Sequence, residues 1–132
     1  MSYANILKKK FKYYCLFNGI LGHCNCLVIT TPMIYYTQLI FIKPGCEQEF
    51  HAFEEKVLPL LKEHNGSLVY RVRPDKSAFI ESTRELPYEI HLVTFGSKAD
   101  FEGYKNDPKR LGFIEMKNNS VEKITLIEGF EL

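Results

Sequence analysis

The chain has 132 residues, of which 45% are hydrophobic and 25% charged, with a formal net charge of +1. This is the composition of a soluble globular domain and excludes a disordered chain. It also gives no bulk electrostatic reason to bind nucleic acid, and none is expected as a partner.

Residues 1–33 differ from the rest. They carry Lys8, Lys9, Lys10 and Lys12 and no acid, whereas the remainder is net acidic. They also hold Cys15, Cys24 and Cys26, leaving only Cys46 beyond. The body therefore cannot form an internal disulfide, and a reducing cytoplasmic location is expected. Tyr13–Ile29 is apolar but interrupted by Asn18, His23 and Asn25, which suits neither a signal peptide nor a membrane span. No membrane partner is expected. His23, Cys24 and Cys26 form an H-C-x-C cluster that, with Cys15, offers four soft ligands. The spacing is not that of a zinc finger and no second paired half follows, so no metal is expected. Pro32 breaks the chain and regular patterning starts just after it. The reading is an N-terminal extension over 1–33, loosely ordered, before a domain over 34–132.

Tyr35–Ile42 (YYTQLIFI) is β-branched and aromatic, which predicts a strand ended by Lys43-Pro44-Gly45. From Glu47 to His64, Phe50, Phe53, Val57, Leu60 and Leu61 recur at helical spacing. Glu47, Glu49, Glu54, Glu55, Lys56, Lys62 and Glu63 read as the polar face of that helix. Pro59 should kink it or split off its last turn, and Asn65-Gly66 closes it. Ser67–Arg73 alternates as a strand, Ala78–Glu81 is a short strand candidate, and Tyr88–Phe95 (YEIHLVTF) is a clear strand. Ser97 caps a helix with Asp100 at its third position and Phe101 and Tyr104 on its apolar face. Asp107-Pro108 interrupts that helix, and Lys109–Met116 reads as a second helical piece. Val121–Ile127 is the last strand.

Strand, helix, strand, strand, helix, strand is an α+β, ferredoxin-like βαββαβ order. It predicts a four-stranded antiparallel sheet with helices on one face and the first and third strands in the centre, parallel to each other. Apolar residues nevertheless occupy both parities at Leu39–Ile42, Leu92–Val93 and Leu126–Ile127. The face away from the helices then needs cover, and a second copy of the chain supplies it. The partner expected is therefore the protein itself, as a homodimer. A monomer covered by residues 1–33 is the alternative.

From Tyr35 to Gly129 the pattern resembles the dimeric α/β-barrel superfamily. That group includes antibiotic-biosynthesis-type monooxygenases, small haem-degrading monooxygenases and families of unknown function. The resemblance rests on Ile42-Lys43-Pro44-Gly45, on Glu49-Phe50, and on Phe95-Gly96-Ser97-Lys98-Ala99-Asp100-Phe101. Tyr104 with Asp107-Pro108, and the closing Leu126-Ile127-Glu128-Gly129, complete it and look most like the uncharacterised families. The resemblance implies a pocket between helices and sheet. It places Gln38 where the haem-degrading members have an asparagine and Phe95 where they have a tryptophan. Their histidine would stand near Ile114, where this chain has none, so no haem or other cofactor is expected.

His91 shares a face with Val93 and Phe95 and is the candidate general base, against a structural hydrogen-bonded histidine. Gln38, Phe95, Tyr36, Tyr70 and Tyr104 are candidate ligand-binding residues. Arg71 and Arg73, on the other parity from Tyr70, read as surface or interface ion-pair partners, with an anion site as the alternative, and His51 and His64 as surface residues. Two functions fit: a cofactor-independent monooxygenase-like or isomerase-like enzyme acting on a small aromatic or conjugated substrate, or a non-enzymatic module for small-ligand binding or assembly.

Overall fold

The computed structural model describes residues 12–15, 26–29 and 31–132. The chain divides into two units, Met1–Pro32 and Met33–Leu132. In the first, strands β1 (Lys12–Cys15) and β2 (Cys26–Ile29) pair antiparallel, with Cys15 opposite Cys26 in the backbone register. The side chains of the cluster formed by Cys15, His23, Cys24 and Cys26 lie outside the described residues.

The second unit holds strands β3 (Ile34–Ile42), β4 (Gly66–Val72), β5 (Glu89–Phe95) and β6 (Val121–Gly129). Their order across the sheet is β4-β5-β3-β6, and every neighbouring pair is antiparallel. This is the ferredoxin-like arrangement. One expectation is corrected: the central strands β3 and β5 run antiparallel to each other. Each helical crossover skips one strand position, joining β3 to β4 and β5 to β6, so a central strand always lies between the two parallel ones.

Helix α1 (Glu47–Val57) begins with Glu47 and Glu49 at its dipole-positive end. Pro59 has no N–H to give to the preceding turn, so the α-helix stops and Leu58–His64 continues as a 3-10 segment. Asn65, at φ 53°, ends it in the left-handed conformation that asparagine tolerates. Ser97 caps α2 (Lys98–Lys105), its Oγ accepting from the Asp100 N–H at 3.1 Å. After it come α3 (Pro108–Leu111), capped by Asp107, and α4 (Ile114–Ser120), which packs on α1. The expected strand over Ala78–Glu81 does not form. Lys76–Ala78 is a 3-10 turn closed by the Ala78 N–H on the Asp75 carbonyl, in a long connection from β4 to β5.

The helices cover one face of the sheet. Tyr36, Leu61, Val93, Phe95, Phe101 and Tyr104 form the core there, with Tyr36 and Phe101 stacked at 4.1 Å between ring centres. Burying a side chain of this size contributes about 2–3 kcal/mol. Ile90 and Leu92 point to the opposite face with Tyr70, Val72 and Ile127, which stay exposed at 63%, 46% and 52%. Among the described residues no helix is long and apolar enough to cross a membrane.

Candidate functional site

A cavity of about 210 Å³ lies between the helices and the sheet. Gln38, His91, Val93, Ile124 and Leu126 form its sheet side. Phe53, Glu54 and Val57 of α1, Phe101 and Tyr104 of α2, and Arg110 and Lys117 form its helix side. For comparison, an apolar cavity of about 150 Å³ holds benzene. This one has room for a single substituted ring.

The polar core of the site is built on β5. His91 and Glu89 are two residues apart, so they share the helix-covered face, and each is only 1% exposed. His91 Nε2 lies 2.7 Å from Glu89 Oε2. Arg71 donates to both Glu89 oxygens, from Nε at 2.8 Å and from Nη2 at 3.1 Å. Arg73 donates a third bond through Nη2 at 2.5 Å. Burial alone would raise the Glu89 carboxyl. The bonds from His91, Arg71 and Arg73 outweigh it and bring the pKa down to about 2. Glu89 is therefore ionised and accepts only, so its hydrogen bond to His91 requires the proton on Nε2. In the neutral form of the ring, Nδ1 is then the unprotonated nitrogen.

Behind this group, Arg73 stacks over Tyr88 at 4.9 Å and lies 2.8 Å from His51 Nε2, which also meets the Tyr88 hydroxyl at 2.8 Å. His51 is thus part of the support for Glu89 rather than a free surface residue.

Glu54 is the second carboxyl of the site. It is 7% exposed, and burial pushes it above the usual carboxylate range against the attraction of His91, Arg71 and Arg110. Its place corrects the reading that put it on the polar face of the helix. Phe50, Phe53, Glu54 and Val57 follow the three-and-four spacing of one helix face, so position 54 is interior whatever residue fills it. Tyr104 donates its hydroxyl to the Val57 carbonyl at 3.2 Å, and burial pushes its pKa up to about 12.

Of the residues singled out from the sequence, Gln38, His91 and Tyr104 line the cavity. Tyr36 and Phe95 are buried in the adjoining core instead of the lining. Tyr70 is on the opposite face. Leu68 pairs with Val93 and Tyr70 with Leu92, so Val69 is an extra residue in β4, a β-bulge. Leu68 and Tyr70 therefore face opposite sides although they are two apart. The bulge brings Arg71 opposite His91, on the helix-covered side. Glu89, Glu54, Arg71 and Arg73 were not read as site residues. For Glu54 the helical spacing carried the signal. For the arginines none was available without the bulge.

Among the described residues, Glu63, His64 and Asp107 bring potential ligand atoms within 4.8 Å of one another. Each already has a partner. His64 Nε2 meets Asp107 Oδ2 at 2.6 Å, and Lys109 Nζ holds both Glu63 oxygens at 3.0 and 3.1 Å. The group reads as an ion-pair cluster around the start of α3.

No family model matches the chain, and no curated protein matches it. Solved structures do. A Dabb-family protein with a ferredoxin-like fold from Mesorhizobium loti is 18% identical at a TM-score of 0.57, over 77% of this chain and 99% of that one. A dimeric protein of unknown function with a ferredoxin-like fold from Bacteroides fragilis is 10% identical at 0.54, over 75% and 96%. A protein described provisionally as an antibiotic biosynthesis monooxygenase from Bacteroides thetaiotaomicron is 17% identical at 0.56, over 77% and 90%. At these identities the likeness is one of fold. Strand order, antiparallel register and the one-sided helices agree with it: the body of this chain is an α+β protein with a ferredoxin-like fold.

Proposed function

We propose that the cavity is a cofactor-independent proton-transfer site for a small aromatic or conjugated substrate, in a protein that acts as a homodimer. The observation that carries this reading is the buried Glu89–His91 pair. A carboxylate held ionised by two arginines keeps the imidazole in one tautomer, the role a buried acid plays beside a catalytic histidine. Nδ1 of His91 is then the base that removes a proton from a carbon next to a carbonyl. Glu54, raised by burial and sharing the cavity, is the acid that returns a proton. Returned at a different carbon, that proton makes the product an isomer. A ligand-binding module without catalysis needs neither a fixed tautomer nor a second proton carrier.

The same carbanion can also add to dioxygen. Protonation then gives a hydroperoxide, and loss of water leaves a carbonyl, with one oxygen atom on the substrate and the other in water. A neighbour described as a monooxygenase shares the fold and supports keeping this outcome in the assay.

The test begins without a substrate. Nitrogen NMR shifts of His91 at neutral pH are expected to show the Nε2-protonated tautomer. An Nδ1-protonated ring would overturn the reading. Deuterium exchange at the benzylic carbon next to the carbonyl of phenylacetone, which is un-ionised at neutral pH, should then be faster with the protein than in buffer, and His91→Gln should abolish the difference.

A further inference from the structure

We infer that the cavity selects substrates bearing a carboxylate, bound by Arg110 and Lys117 on its helix side. The inference deepens the proton-transfer reading by naming the substrate class, and it rests on that reading only for the cavity being the substrate site.

Three cationic side chains line the cavity, namely Lys105, Arg110 and Lys117, and Glu54 is the one carboxylate among the lining residues. Lys105 is already engaged, its Nζ 2.7 Å from Glu102 and over the Phe101 ring. Among the described residues neither Arg110 nor Lys117 forms an ion pair. Both side chains are half-buried, and a charge partly withdrawn from water usually has a counter-ion.

Arg110 shows where that counter-ion would bind. Its guanidinium lies 5.1 Å from the Tyr104 ring centre and 5.9 Å from that of Phe53. Nη1 donates to the Lys105 carbonyl at 3.3 Å. Nε is shut off from solvent and has no acceptor among the described residues. A buried N–H without an acceptor costs about 1–3 kcal/mol. The Nε edge of a guanidinium is also one of the two that a carboxylate bridges with parallel hydrogen bonds. A planar carboxylate in a cavity sized for one ring supplies the acceptor that this Nε lacks once the guanidinium turns slightly toward the cavity.

Lys117 supports the same conclusion. It lines the cavity, and burial followed by repulsion from Arg110 pulls its pKa down. An anion between the two cations removes that repulsion. Glu54 attracts both cations, but burial, which raises its carboxyl, works against that attraction, and it forms no ion pair with either among the described residues.

The experiment compares benzoate with benzamide, two single-ring probes of nearly equal shape, by NMR titration of the full chain. Benzoate is expected to shift the His91 and Tyr104 resonances saturably, and benzamide to bind at least about tenfold more weakly, the loss of one charge-assisted hydrogen bond. Arg110→Gln and Lys117→Met should each weaken benzoate about tenfold, whereas Lys76→Met, in the exposed turn after β4, should leave it within about twofold. Equal binding of the two probes, no benzoate shift up to saturating solubility, or unchanged affinity in both cation variants would overturn the inference. If Arg110→Gln does not fold, Lys117→Met decides alone. Benzoate selectivity alongside a failed tautomer test would leave carboxylate recognition standing and remove the acid–base reading. The opposite pattern would remove only the substrate class.

Discussion

Glu89 has four hydrogen bonds from three cationic or ionisable side chains, and its substitution should be felt beyond the cavity. Glu89→Gln is expected to cost about 3 kcal/mol in urea unfolding at pH 7, because two guanidinium groups lose their counter-ion. The pH dependence has a definite sign. The carboxyl titrates at about 2 in the folded protein against an ordinary 4.5. Its contribution is complete above 4.5 and is lost as pH falls from there through 2. The gap between wild type and Glu89→Gln should therefore narrow in acid across that window. At this scale strand parity was enough to bring His91 and Gln38 into one site. Glu89 was not legible, because a charged residue reads as solvent-facing until its partners are known, whereas the helical spacing did mark position 54 as interior. The arginine partners of Glu89 come from the end of β4 and just beyond it, well away in the chain.

At the scale of elements, proline, cap and turn chemistry marked most boundaries correctly. Pro59 divides the first helix and Ser97 opens the second, as local rules require. The failures were non-local. The false strand at Ala78–Glu81 had no neighbour to pair with, and the bulge at Val69 depends on the register against β5. The junction between the 3-10 segment and β4 is also tight. A Cβ on Gly66 would sit 2.7 Å from Phe95 Cε1 and 3.0 Å from the Leu61 carbonyl oxygen. Gly66→Ala is expected to destabilise by about 1–3 kcal/mol, the usual cost of overpacking, measured by thermal unfolding. Unchanged stability would mean that the Phe95 ring moves aside freely.

For the whole molecule, the unanswered feature is the apolar face away from the helices. Tyr70, Val72 and Ile127 are exposed there beside Leu39, Ile90 and Leu92. The full chain should sediment as a dimer at micromolar concentration. Tyr70→Lys combined with Ile127→Lys should give a monomer with its cavity, and hence benzoate binding, preserved. A monomeric wild type would refute the dimer. The apolar residues on both strand parities made the need for cover legible, since a half-solvated sheet alternates. Which surface provides that cover is a property of two surfaces meeting, and one chain's pattern describes only one of them.

The extra residue in β4 also bears on how this cavity could change over generations. A lineage that lost the codon for Val69 would straighten the strand, yet Tyr70 would still pair with Leu92 and Arg71 with His91. A lineage that kept the length and flattened the bulge would slide Tyr70 opposite His91 and move Arg71 opposite Ile90, on the other face. In the first history an apparent deletion leaves the clamp on Glu89 whole. In the second, with every codon retained, a phenol replaces a guanidinium beside the histidine, and the Glu89 carboxylate loses the partner that bridges both its oxygens.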